Sequence, residues 1–183
     1  MGKAVLISIQ PKWCELIASG KKTVEVRKTK PKLETPFKCY IYMTAGDASY
    51  PVQINGAPYI CHNNGGQVII GEFICDNIEE IGFSPYNHHG EYICFKQPYI
   101  EQSCLSFEEM FDYLGEEYGY GWHISDLVIY DMAKELREFK PYNRTEDDCK
   151  YSHLGYAIPK CSDCHECYVK RPPQSWCYVE SEG

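Results

Sequence analysis

Lys22, Glu25 and Arg27 bring two cations and one carboxylate within a run of six residues. Such a trio can offer a ligand donors and an acceptor together. A lysine beside a carboxylate can also serve as acid or base when burial depresses its pKa, and the glutamate can instead activate a water. The octamer Gly20–Arg27 is also readable as a basic turn beside an edge strand, whose exposed ion pair would contribute about 0–1 kcal/mol. A second constellation is made of thiols. Cys149, Cys161, Cys164 and Cys167 lie within 19 residues, and their spacing supplies the close pairs that structural Zn²⁺ takes. His153, His165 or Cys177 could replace one of the four. The neighbouring run Tyr142–Asp148 is too polar to fold by burial, so a metal would supply the missing stability. An iron–sulfur cluster also uses closely spaced cysteines, but the usual Cys-Pro ending is absent. A loop of free thiols is the remaining reading.

The elements that must position the trio are a short helix and a strand. Pro11 suits the first helical turn. Trp13, Leu16 and Ile17 then fall at i, i+3 and i+4, predicting one buried face to about Ser19. Gly20 fits the left-handed position that ends a helix. Thr23–Arg27 alternates, so Val24 and Val26 face one side, and Glu25 and Arg27 the other, about 6.6–6.8 Å apart. Lys22 has the parity of the valines. It joins the charged pair only if the chain bends on entering the strand.

The pattern Gly20-x-Lys22-x-x-Glu25-x-Arg27, after a strand ending Ser8-Ile9-Gln10-Pro11 and a short helix, resembles the signature of the ASCH family, part of the PUA-like superfamily of small β-barrels. Gly121–Ser125 and Arg171–Glu180 resemble phage and prophage members. The likeness covers most of residues 3–140 and the last dozen. It implies that the first helix and second strand line the mouth of a pocket that binds RNA or a modified nucleoside. On that reading Trp122, His123, Trp176, Tyr40 and Tyr42 are candidate stackers for unpaired bases. Lys12, Lys22 and Arg27 are candidate phosphate or carbonyl partners, and Gln174 belongs to the rim beside Trp176. Core packing competes for both tryptophans, and a structural role competes for His123. Some members resemble amidohydrolases acting on an acetylated cytidine; others resemble ribonucleases. The amidohydrolase pattern requires a Lys, a Thr three residues on, and a Glu near the second helix. Lys22 matches, Glu25 occupies the Thr position, and Glu101 lies about where the Glu falls. The catalytic set on this alternative is Lys22, Glu25 and Glu101. A third reading is a phage-encoded protein-interaction module.

The 183 residues suffice for one buried domain with an insertion, and 44% of them are apolar. Sixteen tyrosines suit a β-rich protein. No apolar run approaches the roughly 18 residues of a membrane span, and Ala4–Ile7 is too short for a signal-peptide core. The expectation is a cytoplasmic protein whose 11 cysteines are reduced. Residues 1–40 carry nine Lys or Arg against three acids, a net +6, and the remainder nine against 23, a net −14. This makes the chain a poor candidate for non-specific duplex binding, which depends on many phosphate contacts, but leaves room for a local basic face near the octamer.

Along the chain, strands are expected at Lys3–Ile9, Thr23–Arg27, Phe37–Thr44, Gln67–Asn77, His123–Asp131 and Gln174–Val179, with a small hairpin near Tyr59–His62 and a possible strand at Tyr92–Phe95. Gly71 inside a strand predicts a bulge or a close backbone approach. Ser106-x-x-Glu109 predicts a capping box opening a second helix, ended by Gly115 or Gly119. Cys14, Cys39, Cys75, Cys94 and Cys104 lie among apolar neighbours and read as core. The expected architecture is mainly β (α+β): a small ASCH-like barrel of about six strands with two short helices over residues 1–140 and 172–183, and a zinc-binding insert at 141–171.

Overall fold

Ala4-Val5-Leu6-Ile7 is fully buried on both sides, as a nearly continuous apolar run demands. It forms the centre of β1 (Lys3–Ile9), around which the computed structural model is organised. The structure describes residues 2–45, 52–54, 57–59, 67–82, 97–115, 118–142 and 168–181.

After β1 come α1 (Pro11–Ala18), β2 (Val24–Arg27), β3 (Phe37–Met43), β4 (Val52–Ile54), β5 (Ala57–Tyr59), β6 (Val68–Cys75) and β7 (Ile78–Gly82). Then follow α2 (Gln97–Ser103), α3 (Phe107–Leu114), β8 (Tyr118–His123), β9 (Ser125–Glu135), a 3₁₀ turn and β10 (Trp176–Glu180). One sheet runs β10-β1-β3-β6-β9, a second runs β2-β8-β7, and β4 and β5 form a hairpin. β1 and β3 are parallel, and α1 with β2 supplies the crossover such a pair needs.

The expected closed barrel of about six strands is corrected here. Among the described residues, ten strands form three separate sheets that do not close by hydrogen bonding, because neither β2 nor β7, the edges of the three-stranded sheet, pairs with β10 or β9, the edges of the five-stranded one. Among the described residues three α-helices are present instead of two; α2 is the addition. No helix among the described residues is long and apolar enough to cross a membrane.

Alternation on the five-stranded sheet builds two cores. Val5, Ile7, Cys39, Ile41 and Met43 face one of them, together with Ile17 and Trp122. Ala4, Leu6, Tyr40, Tyr42 and Val179 face the other, beneath Phe139 and Val169. The two tyrosines are therefore not stackers: both are buried, and the Tyr40 ring meets Phe139 edge-on at 4.8 Å. A third cluster, Val26, Ile81, Met110 and Leu114, fixes α3 onto the three-stranded sheet.

Local signals act as chemistry requires. Gly71 sits at register shifts on both sides of β6, and a Cβ there would meet the Val128 carbonyl oxygen at 2.3 Å. Ser106 Oγ accepts from the Glu109 N–H at 3.1 Å while Glu109 Oε2 accepts from the Ser106 N–H at 2.9 Å, the reciprocal cap of α3. β10 pairs antiparallel with β1, so the segment after the Cys-rich stretch is the edge of the main sheet. The ends of that stretch are anchored too: Pro141 bridges Val179, and the Val169 N–H donates to the Phe139 carbonyl at 2.8 Å. Cys149, Cys161, Cys164, Cys167, His153 and His165 lie outside the described residues, as do Cys94 and the strand expected at Tyr92–Phe95.

Candidate functional site

The bend that Lys22 needs is made by the end of α1. Gly20 takes φ +71°, and the Lys21 and Lys22 N–H groups both turn back to the Leu16 carbonyl, at 2.9 and 3.0 Å. β2 begins only at Val24, so strand alternation does not govern Lys22. Its Nζ swings to within 3.3 Å of Glu25 Oε2. Arg27 Nη2 reaches Glu25 Oε1 at 2.9 Å. All three are buried: Lys22 is 2% exposed, Glu25 5% and Arg27 8%. This corrects the reading of a surface ion pair.

Backbone carbonyls complete the arrangement. Lys22 Nζ donates to the Ser103 carbonyl at the end of α2, at 2.7 Å. Arg27 Nη2 donates to the Ser8 carbonyl of β1, at 2.6 Å. Ser8 is held in turn by the strap before β10: its Oγ donates to the Pro173 carbonyl at 2.6 Å and its N–H to the Ser175 carbonyl at 2.9 Å. Paired charges buried this way need such extra hydrogen bonds to offset desolvation. Two polar atoms of the trio nonetheless have no hydrogen-bond partner among the described residues, the acceptor Glu25 Oε2 and the donor Arg27 Nε. Lys22 Nζ is close enough to Glu25 Oε2 for an ion pair but is not aligned for a hydrogen bond.

Lys22, Glu25 and Arg27 line a half-open cleft of about 470 Å³ between β2, α1 and α3. Ser8, Ile9, Gln10 and Trp13 form one wall; Leu105, Glu109, Asp112 and Tyr113 form the other. Trp13 carries cations on its face, with Lys12 Nζ 4.2 Å and Lys22 Nζ 5.2 Å from the ring centre. Lys28 Nζ stands 5.4 Å from the Tyr113 ring. Lys12 is exposed at the mouth and ties α1 to α3 through Glu109 Oε1 at 3.1 Å. The Ser106 N–H, and then Lys12, hold the Glu109 carboxyl below its usual range.

The other sequence candidates are not gathered here. Trp122 is fully buried in the core, edge-on to Phe37 at 6.0 Å, and is unavailable for stacking. Its Nε1 is a further buried donor with no partner among the described residues. Trp176 is half-buried and donates from Nε1 to Thr29 Oγ1 at 3.1 Å, with its ring 5.3 Å from Tyr178. Gln174 is exposed on the strap. His123 faces a different cleft, and Glu101 is exposed on α2, outside the residues that line the trio's cleft. Sequence reasoning missed Trp13, Tyr113, Glu109 and Asp112 as cleft residues. Trp13 carried a usable signal, being one turn into the helix that precedes the charged octamer. Tyr113 carried none, since α3 meets β2 only through tertiary packing.

The ASCH domain family model matches residues 7–119, more than half of the chain. No curated protein matches. Among solved structures, the ASCH protein of Zymomonas mobilis is similar, with a TM-score of 0.52 at 20% identity over 97% of this chain and 88% of that one. A serine-to-alanine mutant of that protein gives 0.56 at 19% identity, covering 97% and 89%. A tyrosine-to-phenylalanine mutant gives 0.53 at 19%, covering 97% and 91%. At these identities the likeness shows a shared fold. The family match, with the Gly20–Arg27 signature folded into the wall of a cleft, places this chain in the ASCH domain family.

Proposed function

We propose that the cleft binds a single nucleobase, presented by unpaired RNA or by a free modified nucleoside. The observation that carries this reading is the pairing of an unsatisfied buried acceptor, Glu25 Oε2, with an unsatisfied buried donor, Arg27 Nε, on adjacent cleft residues. Both atoms are closed to solvent in the free protein, so a base meets them with a shift of the trio, and its edge, with donors and acceptors side by side, then satisfies both where a hydrocarbon could not. Trp13 and Tyr113 supply flat apolar surface on opposite walls, and the volume lies within the range of small-molecule sites. The acids Glu109 and Asp112 sit where a phosphate would be repelled, so base and ribose are the parts recognised inside.

The test is titration of Trp fluorescence and heat with short single-stranded RNAs and with free nucleosides. Saturable binding is expected, and Lys22→Met should weaken it about 10–150-fold, the loss of one charge-assisted hydrogen bond. RNA affinity should fall with salt while nucleoside affinity should not. No binding of either, with a captured protein partner instead, would support the interaction-module reading.

A hydrolase reading is favoured by one observation, the 3.3 Å approach of Lys22 Nζ to Glu25 Oε2 inside the cleft. On that reading Glu25 orients a water towards the acyl group of an acylated nucleoside, and Glu109 or Asp112 stands nearer than Glu101. Turnover of acetylated cytidine, lost in a folded Glu25→Gln variant, would establish it.

Structural zinc on Cys149, Cys161, Cys164 and Cys167 belongs to the same proposal. Cys177 is the weaker substitute ligand. It packs against the Tyr40 side of the core, and burial pushes its thiol up to about 11, whereas a zinc ligand must be a thiolate. A chelator should lower the melting temperature; identical melting with and without it would remove the metal. A cytoplasmic location fits reduced thiols.

A further inference from the structure

Glu109 and Asp112 line the cleft, so the phosphates of a bound strand must lie outside it. The nine Lys and Arg of residues 1–40 differ in whether a carboxylate already holds them. Glu109 meets Lys12, Glu25 meets Lys22 and Arg27, and Glu72 meets Lys38. Lys28, Lys30 and Lys32 are exposed and have no carboxylate in ion-pair contact among the described residues. Against Glu34, the acid of the same loop, they leave residues 28–36 at +2.

This loop follows β2 directly and is pinned to β10 at two points. Trp176 Nε1 donates to Thr29 Oγ1 at 3.1 Å, and the Lys32 N–H donates to the Tyr178 hydroxyl at 2.7 Å. Pro31 is buried between them. Thr29 and Pro31 therefore fasten the loop, and the lysines that alternate with them stand out from it. From Lys28 to Lys32 the row spans at most about 14 Å. Lys28 Nζ lies 5.4 Å from the centre of the Tyr113 ring and Lys30 Nζ 5.0 Å from that of Tyr120. A ring face holds an ammonium in place without cancelling its charge, as a carboxylate would. The row also begins at the cleft: Tyr113 belongs to the cleft wall, and Tyr120 pairs with Arg27 across β2 and β8.

We infer that Lys28, Lys30 and Lys32 form a phosphate track along which a single-stranded RNA leaves the cleft. This rests on the base-binding reading and narrows it: the preferred ligand is a base within a strand, not a free nucleoside. An acidic peptide matches the charge of the track but brings no base edge to the cleft that adjoins it.

The experiment is calorimetric titration at 50 and 200 mM salt with the four ribonucleosides, their homotetranucleotides, an abasic ribose-phosphate tetramer and tetraglutamate. At least one tetranucleotide should bind more tightly than its nucleoside at 50 mM salt. Three phosphate contacts give a slope of about −2 in log affinity against log salt, a loss of roughly 20-fold between the two concentrations. In Lys30→Gln/Lys32→Gln, which spares the cleft wall, the loss should shrink to about threefold. Nucleoside affinity should stay unchanged in that variant, which also reports that it is folded. The two readings fail separately. Tetramers, the abasic one included, that bind with this salt dependence while no nucleoside binds would keep the track and remove the base cleft. Nucleosides that bind as tightly as their tetranucleotides, or an unchanged salt loss in the double variant, would overturn the track and keep the cleft. Tighter binding of tetraglutamate than of every tetranucleotide would overturn the assignment to RNA.

Discussion

Glu25→Ala should destabilise the protein by about 3–5 kcal/mol, because it strands two buried cations at once. Lys22 and Arg27 are each less than one-tenth exposed, and Glu25 is the carboxylate that meets both. For a chain of this size the loss corresponds to about 6–20 °C in melting temperature. Glu25→Gln, which keeps the shape and one acceptor, should cost clearly less stability yet still impair ligand binding. Urea unfolding and thermal melting of both variants read this directly. If Glu25→Ala melts within a couple of degrees of the unmodified protein, water screens the three charges and the site described above is not enclosed.

The second large effect separates two tryptophans. Trp122→Ala should cost about 3–5 kcal/mol, since it empties a fully buried site between Phe37 and Trp176. Trp13→Ala should leave the fold nearly intact, because that ring is half-buried at the cleft wall. It should instead cost about 1–3 kcal/mol of base binding, the worth of one stacking platform. The two measurements together are diagnostic. A stable Trp122→Ala that no longer binds, beside an unstable Trp13→Ala that does, would exchange the roles given to these residues.

Those roles are the reverse of what helical periodicity and family likeness suggest, and the reason is instructive. Trp13, Leu16 and Ile17 share a helix face by spacing, but Cys14 and Ile17 are the residues that reach full burial, and Trp13 is left at the edge facing α3. Whether a helix edge is core or wall depends on what packs beside it, which is non-local. The same holds for Tyr40 and Tyr42. Their alternation with Cys39, Ile41 and Met43 was legible, but not that Phe139 and Val169 would cover the tyrosine face. Signals confined to a few residues transferred well: the bounds of β1, the Gly20 turn, the Gly71 irregularity and the Ser106 cap. β8 was missed because Tyr118-Gly-Tyr-Gly-Trp-His carries two glycines, which depress strand propensity and read as a helix terminus. Its pairing with both β2 and β7 overrides that local preference. The closeness of Lys22 to Glu25 hung on a bend that spacing alone left open.

The carbonyl oxygens of Ser103 and Ser8, which hold Lys22 and Arg27, belong to the main chain. Alanine scanning is blind to such anchors, since every substituted residue still presents the same oxygen. A scan of this protein would therefore rank positions 8 and 103 below their true weight in shaping the cleft. Single-residue insertions or deletions near the end of α2 are the edits that would displace an anchor. Tolerance to changed spelling, with intolerance to changed spacing, is the mutational fingerprint this architecture should leave.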